Sequence, residues 1–129
     1  MIVVDTSAVL SAIVGRPPVG GLRERLEQEE LHAPHLLDVE FLHALRKVVS
    51  TKRLSLSRAE EARDDLDDLS IVRYPHVPFG DRIWELRAAL SAYDAAFVAL
   101  AEALGCHLVT CDGHLARSRT HSATIELFS

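Results

Sequence analysis

Ile2-Val3-Val4-Asp5-Thr6-Ser7-Ala8 is the stretch on which the reading of the fold turns. Three β-branched apolar residues run straight into an acid. So short an unbroken apolar run reads as a strand buried on both faces, as in a parallel sheet. Thr6 to Ile13 reads as a short helix, closed by Gly15, Pro17 and Pro18. The same grammar returns near the far end of the chain. His107-Leu108-Val109-Thr110 reads as a strand that leads into Cys111-Asp112, with a helical turn from His114 to Arg117. Between and beyond these, Ile71 to Tyr74 is a second strand candidate and Thr124 to Leu127 a last edge strand.

Helical patterns fill the intervals. Leu22 and Leu26 are four apart in a solvated helix over 22–30. Leu37, Phe41, Ala44, Leu45 and Val48 recur at helical steps, so 36–50 is amphipathic. Ser57 and Glu60 have the spacing of a capping box, which predicts a helix from there to about Leu69. Pro75 and Pro78 place a loop before helices over 81–90 and 93–104, the latter stopped by Gly105. Strands alternating with helices predict a three-layer α/β/α domain with a mostly parallel central sheet, a single domain over 1–129.

Composition narrows the function classes. With 14 Lys and Arg against 19 Asp and Glu, the formal charge is -5. That is not the balance of a protein that holds nucleic acid by bulk electrostatics, although bound divalent ions invert the local field. Two cysteines, Cys106 and Cys111, do not make a disulfide scaffold. No basic segment precedes the first apolar run, and no apolar run is long enough to span a bilayer. A soluble cytoplasmic protein with no membrane partner is expected. There is no phosphate-binding G-x-x-x-x-G-K-[ST] and no G-x-G-x-x-G. Cys106, His107, Cys111 and His114 lack zinc spacing, because a strand through 107–110 scatters them.

Sites in open α/β sheets lie beyond the carboxyl ends of the strands. Asp5 and Asp112 follow two predicted strands there. Each is also a favoured helix N-cap, and local pattern leaves both roles open. Glu40 and Asp38 sit on opposite borders of the apolar stripe of the 36–50 helix, and periodicity does not separate them. Asp94 falls in the first turn of the 93–104 helix, three residues after Ser91, where a capping role is equally natural. If Asp5, Glu40, Asp94 and Asp112 converge, their mutual repulsion raises their pKa values and favours bound cations. An all-oxygen donor set suits Mg²⁺ or Mn²⁺ rather than zinc.

These same segments carry a family resemblance. Ile2 to Ala8, Pro34 to Glu40, Tyr93 to Ala101 and Leu108 to Ala116 resemble, in order, the four acidic motifs of the PIN-domain ribonucleases, particularly the VapC-type toxins of toxin–antitoxin pairs. The resemblance runs from residue 2 to about 127. It implies a Mg²⁺- or Mn²⁺-dependent endoribonuclease with Asp5, Glu40, Asp94 and Asp112 as catalytic metal ligands. Thr6 and Ser7 would support Asp5, Thr110 matches the supporting polar residue two before Asp112, and Arg117 and Arg119 are candidates for contact with the RNA backbone. The resemblance also implies a translation-inhibiting toxin, a cognate antitoxin, an RNA substrate and a homodimer. The contrasting reading is a non-catalytic PIN-like module that binds protein or RNA without cutting it. Two other acid-bearing α/β families fit less well. A haloacid-dehalogenase-like phosphatase needs an Asp where Ser7 stands, and a response-regulator receiver needs a late Lys, whereas the last here is Lys52.

Overall fold

The computed structural model describes residues 1–129. Its centre is a five-stranded sheet in the order β3-β2-β1-β4-β5, with every neighbouring pair parallel. The strands are β1 (Ile2–Val4), β2 (Leu31–Pro34), β3 (Ile71–Tyr74), β4 (His107–Thr110) and β5 (Ile125–Leu127). The helices are α1 (Thr6–Val14), α2 (Leu22–Glu27), α3 (Leu36–Ser50), α4 (Leu56–Asp68), α5 (Gly80–Glu85), α6 (Ala92–Leu104) and α7 (Gly113–Ala116). A 3₁₀ turn over Val77–Phe79 precedes α5.

β1 is the middle strand. Ile2, Val3 and Val4 are all fully buried, as a strand covered on both faces requires. Ile2 pairs with Leu31 on one side and with His107 on the other, and Val4 reaches Val109. From β1 the chain steps outward through β2 to β3, then returns across β1 to β4 and β5. Parallel crossovers are nearly always right-handed, so this reversal puts the connecting helices on opposite faces. Accordingly α1, α3 and α4 pack together on one side, while α6 lies across β1, β2 and β4 with α5 against it. The expected three-layer α/β/α arrangement is what forms. Leu37, Phe41 and Leu45 of α3, and Phe97, Val98 and Leu100 of α6, close the core against the sheet. The gap between the ends of β1 and β4 is the topological switch point, where such sheets place their sites.

Several details depart from the sequence reading. β2 is absent from that reading, and its Leu-His-Ala-Pro has no alternation and no β-branched residue. All four of its residues are nevertheless buried. His32 tolerates this because Tyr74 Oη lies 2.7 Å from its Nδ1 and Glu30 Oε1 2.6 Å from its Nε2. Pro34, which lacks an N–H, ends the strand. The helix expected over 22–30 is shorter, Leu22–Glu27, because 31–34 is drawn into the sheet; Leu22 and Leu26 are its buried residues. α4 is capped by Ser55, whose Oγ accepts the Arg58 N–H at 3.1 Å, rather than by Ser57. The helix expected over 81–90 ends at Glu85, yet Leu86 and Leu90 remain buried in the turns that follow. No helix is long and apolar enough to cross a membrane.

Candidate active site

Asp5 is the most constrained of the predicted acids. It is buried, at 6% exposure, and caps α1 by accepting the Ala8 N–H on Oδ1 at 2.9 Å. Capping and siting therefore coexist in one side chain. Ser7 Oγ donates to the same oxygen at 2.7 Å, and the hydroxyl of Thr110, a wholly buried residue at the end of β4, donates to Oδ2. Both hydroxyl protons are thus committed to Asp5. The 3.2 Å approach of Ser7 Oγ to Thr110 Oγ1 is then proximity without a shared proton. Their lone pairs are used as well: Ser7 Oγ accepts the Cys111 N–H and Thr110 Oγ1 accepts the Asp112 N–H, each at 2.9 Å. The result is a closed network that ties the ends of β1 and β4 together. Desolvation still outweighs these hydrogen bonds, and the Asp5 carboxyl is held above its ordinary pKa, with the charge of Asp112 adding to the rise.

Glu40 comes from α3. Thr6, expected beside Asp5, instead donates its hydroxyl to Glu40 Oε1 at 2.7 Å. That bond resolves what periodicity leaves open. Asp38, on the other border of the helix, is gripped by Arg73 of β3 through two hydrogen bonds, at 2.6 and 2.9 Å. Glu40 faces the site and Asp38 faces away to its arginine. Burial raises the Glu40 pKa, the Thr6 bond opposes this, and the charges of Asp94 and Asp5 raise it further.

Asp94 sits in the first turn of α6, whose cap is Ser91; the Asp94 N–H donates to Ser91 Oγ at 3.1 Å. Its carboxyl is also held above the ordinary value, first by burial and then by the charge of Asp112. Asp112 caps α7 by accepting the His114 N–H at 2.9 Å. The four acids are therefore linked by charge: Asp5 with Asp112 and Glu40, and Asp94 with Glu40 and Asp112. They are neighbours, but no three His, Cys, Asp or Glu side chains are gathered into a ready-made ion cage. Like-charge repulsion opposes closer approach. The donor chemistry nevertheless suits a hard divalent cation: carboxylate oxygens, with three of the four groups held at raised pKa values by burial and by neighbouring acids.

Arg117 and Arg119 are exposed beyond α7. The Arg117 guanidinium lies over Gly113, where a Cβ would meet its Nη1 at 3.0 Å. Two histidines that sequence reasoning does not place at the site flank it. The charge of His43 opposes the rise at Glu40, and that of His114 opposes the rise at Asp94. The signal for His43 is its position one turn after Glu40 on the same helix, and for His114 its place two residues after Asp112.

Comparison with known proteins bears on the family and the fold. The PIN domain family model matches residues 2–119. Ribonuclease VapC9 of Mycobacterium tuberculosis is 47% identical over 112 residues, which cover 87% of this chain and 86% of the relative. A crystal structure of PAE2754 from Pyrobaculum aerophilum superposes with a TM-score of 0.70 at 25% identity, covering 96% of this chain and 81% of that one. VapBC2 from Rickettsia felis, solved bound to a DNA fragment from its promoter, matches with a TM-score of 0.68 at 15% identity over the full length of both chains.

Proposed function

The chain belongs to the PIN-domain family, among the VapC-type ribonucleases of toxin–antitoxin pairs, and from that premise we propose that it is a Mg²⁺- or Mn²⁺-dependent endoribonuclease whose action inhibits translation. The observation that supports the mechanism is the coupling by charge of Asp5, Glu40, Asp94 and Asp112 around the switch point of the sheet, with none of them paired to Arg or Lys. Asp5 and Asp94 would hold the divalent ion, with Glu40 and Asp112 completing the set directly or through water. When bound, such an ion lowers the pKa of a water and neutralises charge on the departing oxygen of a phosphodiester.

The chain's own residues supply the rest. Ser7, Thr110 and the Ala8 N–H fix both oxygens of Asp5, so its carboxylate cannot swing when charge arrives. Thr6 orients Glu40 through one oxygen and leaves the other free to position an attacking water. With its raised pKa, Glu40 is suited to accept a proton from that water. Cleavage would break the bond between phosphorus and the 3′ oxygen, leaving a 5′ phosphate and a 3′ hydroxyl. Arg117 and Arg119, exposed beside α7, are placed to meet the RNA backbone.

A cognate antitoxin is the natural partner of a chain so related, and an acidic groove favours a basic inhibitory segment. A homodimer is part of the same reading. The test is cleavage of a random-sequence RNA pool in Mn²⁺, with Asp5→Asn and Asp94→Asn as controls. The proposal expects 5′-phosphate products from wild type only, abolished by EDTA. Equal activity in wild type and both variants would mark that activity as contamination, and the non-catalytic binding module would then lead.

A further inference from the structure

Beside the carboxylates lies a hollow of about 450 Å³ that the mechanism above does not use, lined by Leu36, Val39, Glu40, His43 and Tyr93. Its walls come from the first half of α3 and the first turn of α6. Glu40 belongs to both hollow and acidic site, so the two are continuous. Val39 is 67% exposed and Tyr93 61%, although each stands at the rim of a concavity. Scattered exposed apolar side chains need no explanation, but two that meet around a concave site bordering catalytic groups do. The chain's aromatic and cation–π contacts lie elsewhere, at His32–Tyr74 and Arg87–Trp84, so the Tyr93 ring is left unstacked.

The occupant must be partly apolar, carry hydrogen-bonding edges, and lie close to whatever the acids act upon. The hollow's volume is within the roughly 300–1,000 Å³ of small-ligand sites and is small for a docked protein helix. If the acids hold a phosphodiester, a flat base is attached one nucleotide to either side. Single-stranded RNA is commonly recognised by bases splayed onto aromatic rings and hydrogen-bonded along their edges. We infer that this hollow is a specificity pocket for the nucleobase adjoining the scissile phosphodiester, with Tyr93 stacking on its face and His43 bonding to its edge. Leu36 and Val39 complete the apolar walls. The inference rests on the ribonuclease reading. It adds that sequence preference at one position is set by α3 and α6 rather than by the arginines after α7, which contact a backbone common to every sequence.

The experiment sequences the ends produced from a random-sequence RNA pool in Mn²⁺ and measures kcat/KM on the best substrate so found. It compares wild type with Tyr93→Ala, Tyr93→Phe and His43→Ala, and uses Trp84→Ala as an exposed-aromatic control. Wild type is expected to favour particular bases at one position beside the cut. Tyr93→Ala should lower kcat/KM about tenfold, mostly through KM, as expected for loss of one stacked base. Tyr93→Phe should stay within about twofold of wild type, because the ring is retained. His43→Ala should broaden the preference at that position, and Trp84→Ala should change neither rate nor preference. If wild type cuts RNA while Tyr93→Ala cuts with unchanged rate and preference, the pocket is refuted and the nuclease reading stands. The pocket is equally refuted if Tyr93→Ala leaves cleavage intact but disrupts self-association or antitoxin binding, since a protein then covers this face. If wild type does not cut RNA at all, the nuclease reading fails and the pocket falls with it.

Discussion

Carboxylates occur in two kinds of place in this molecule, and the contrast between them is instructive. Away from the switch point, the best-held acids are matched to arginines. Arg82 grips Glu102 through two hydrogen bonds, at 2.8 and 2.9 Å, and holds its pKa at about 2. Arg25 does the same for Glu126, also at about 2, and Arg73 clasps Asp38. At the switch point the signs reverse. Asp5, Glu40 and Asp94 are all held above their ordinary values, by burial first and then by acid charge, that of Asp112 on Asp5 and Asp94 and that of Asp94 and Asp5 on Glu40. Glu102, Glu126 and Asp38 each have an arginine, whereas the four acids coupled by charge around the switch point have none. A carboxylate's role here is read from its partner rather than from its position on a helix or at a strand end.

The largest effect that follows is on catalysis. Asp94→Asn should lower RNA cleavage by at least about a hundredfold, since even residues that merely orient metal ligands are worth roughly 10–100-fold. Cleavage kinetics on a defined RNA would measure it. Glu102→Gln should leave that rate unchanged, and a comparable loss there would erase the distinction between the two classes of acid. Next in size is the hydroxyl network. Thr110→Val removes a donor to buried Asp5 and an acceptor for the Asp112 N–H. It should cost about 2 kcal/mol in urea unfolding and weaken Mn²⁺ binding about tenfold.

Acid titration sharpens the contrast, because the two classes should respond in opposite directions. The folded pKa of Glu102 is about 2 against an ordinary 4.5, so its ion pair stabilises fully above about 4.5 and that stability is lost as pH falls toward 2. Allowing for solvent screening, Glu102→Gln should remove about 1 kcal/mol at neutral pH and flatten the acid limb of a denaturation series. The folded pKa of Asp94 is raised, so its ionised form costs stability at neutral pH, and that cost fades as pH falls through the folded pKa toward 3.8. In EDTA, Asp94→Asn should therefore be slightly more stable than wild type. Thermal melts at pH 7 read the sign, and a destabilised variant would contradict it.

Much of this arrangement is legible in the sequence, for local reasons. β1 and β4 are short apolar runs that end at acids, so Asp5 and Asp112 fall at strand ends without any tertiary knowledge. α6 is bounded by Ser91 and by Gly105, which adopts a φ of +62°. The misses are long-range. β2 is a strand because His32 finds Tyr74, 42 residues away, and nothing in Leu-His-Ala-Pro announces that partner. Glu40 and Asp38 are alike in periodicity, and Arg73, 35 residues after Asp38, takes one and leaves the other. The family resemblance assigns Thr6 to Asp5, yet the first turn of α1 points its hydroxyl at Glu40. Ser55 and Ser57 are both good caps, and the burial of Ala59, Ala62 and Leu66 selects the register that starts α4 at Leu56.

The most direct measurement is calorimetric titration of Mn²⁺ into wild type and into Asp5→Asn, with circular dichroism to show that the variant is folded. Saturable binding to wild type, lost in a folded Asp5→Asn, is the predicted result. Equal binding to both proteins, or none to wild type at millimolar Mn²⁺ with or without RNA, would contradict a cation site built on Asp5.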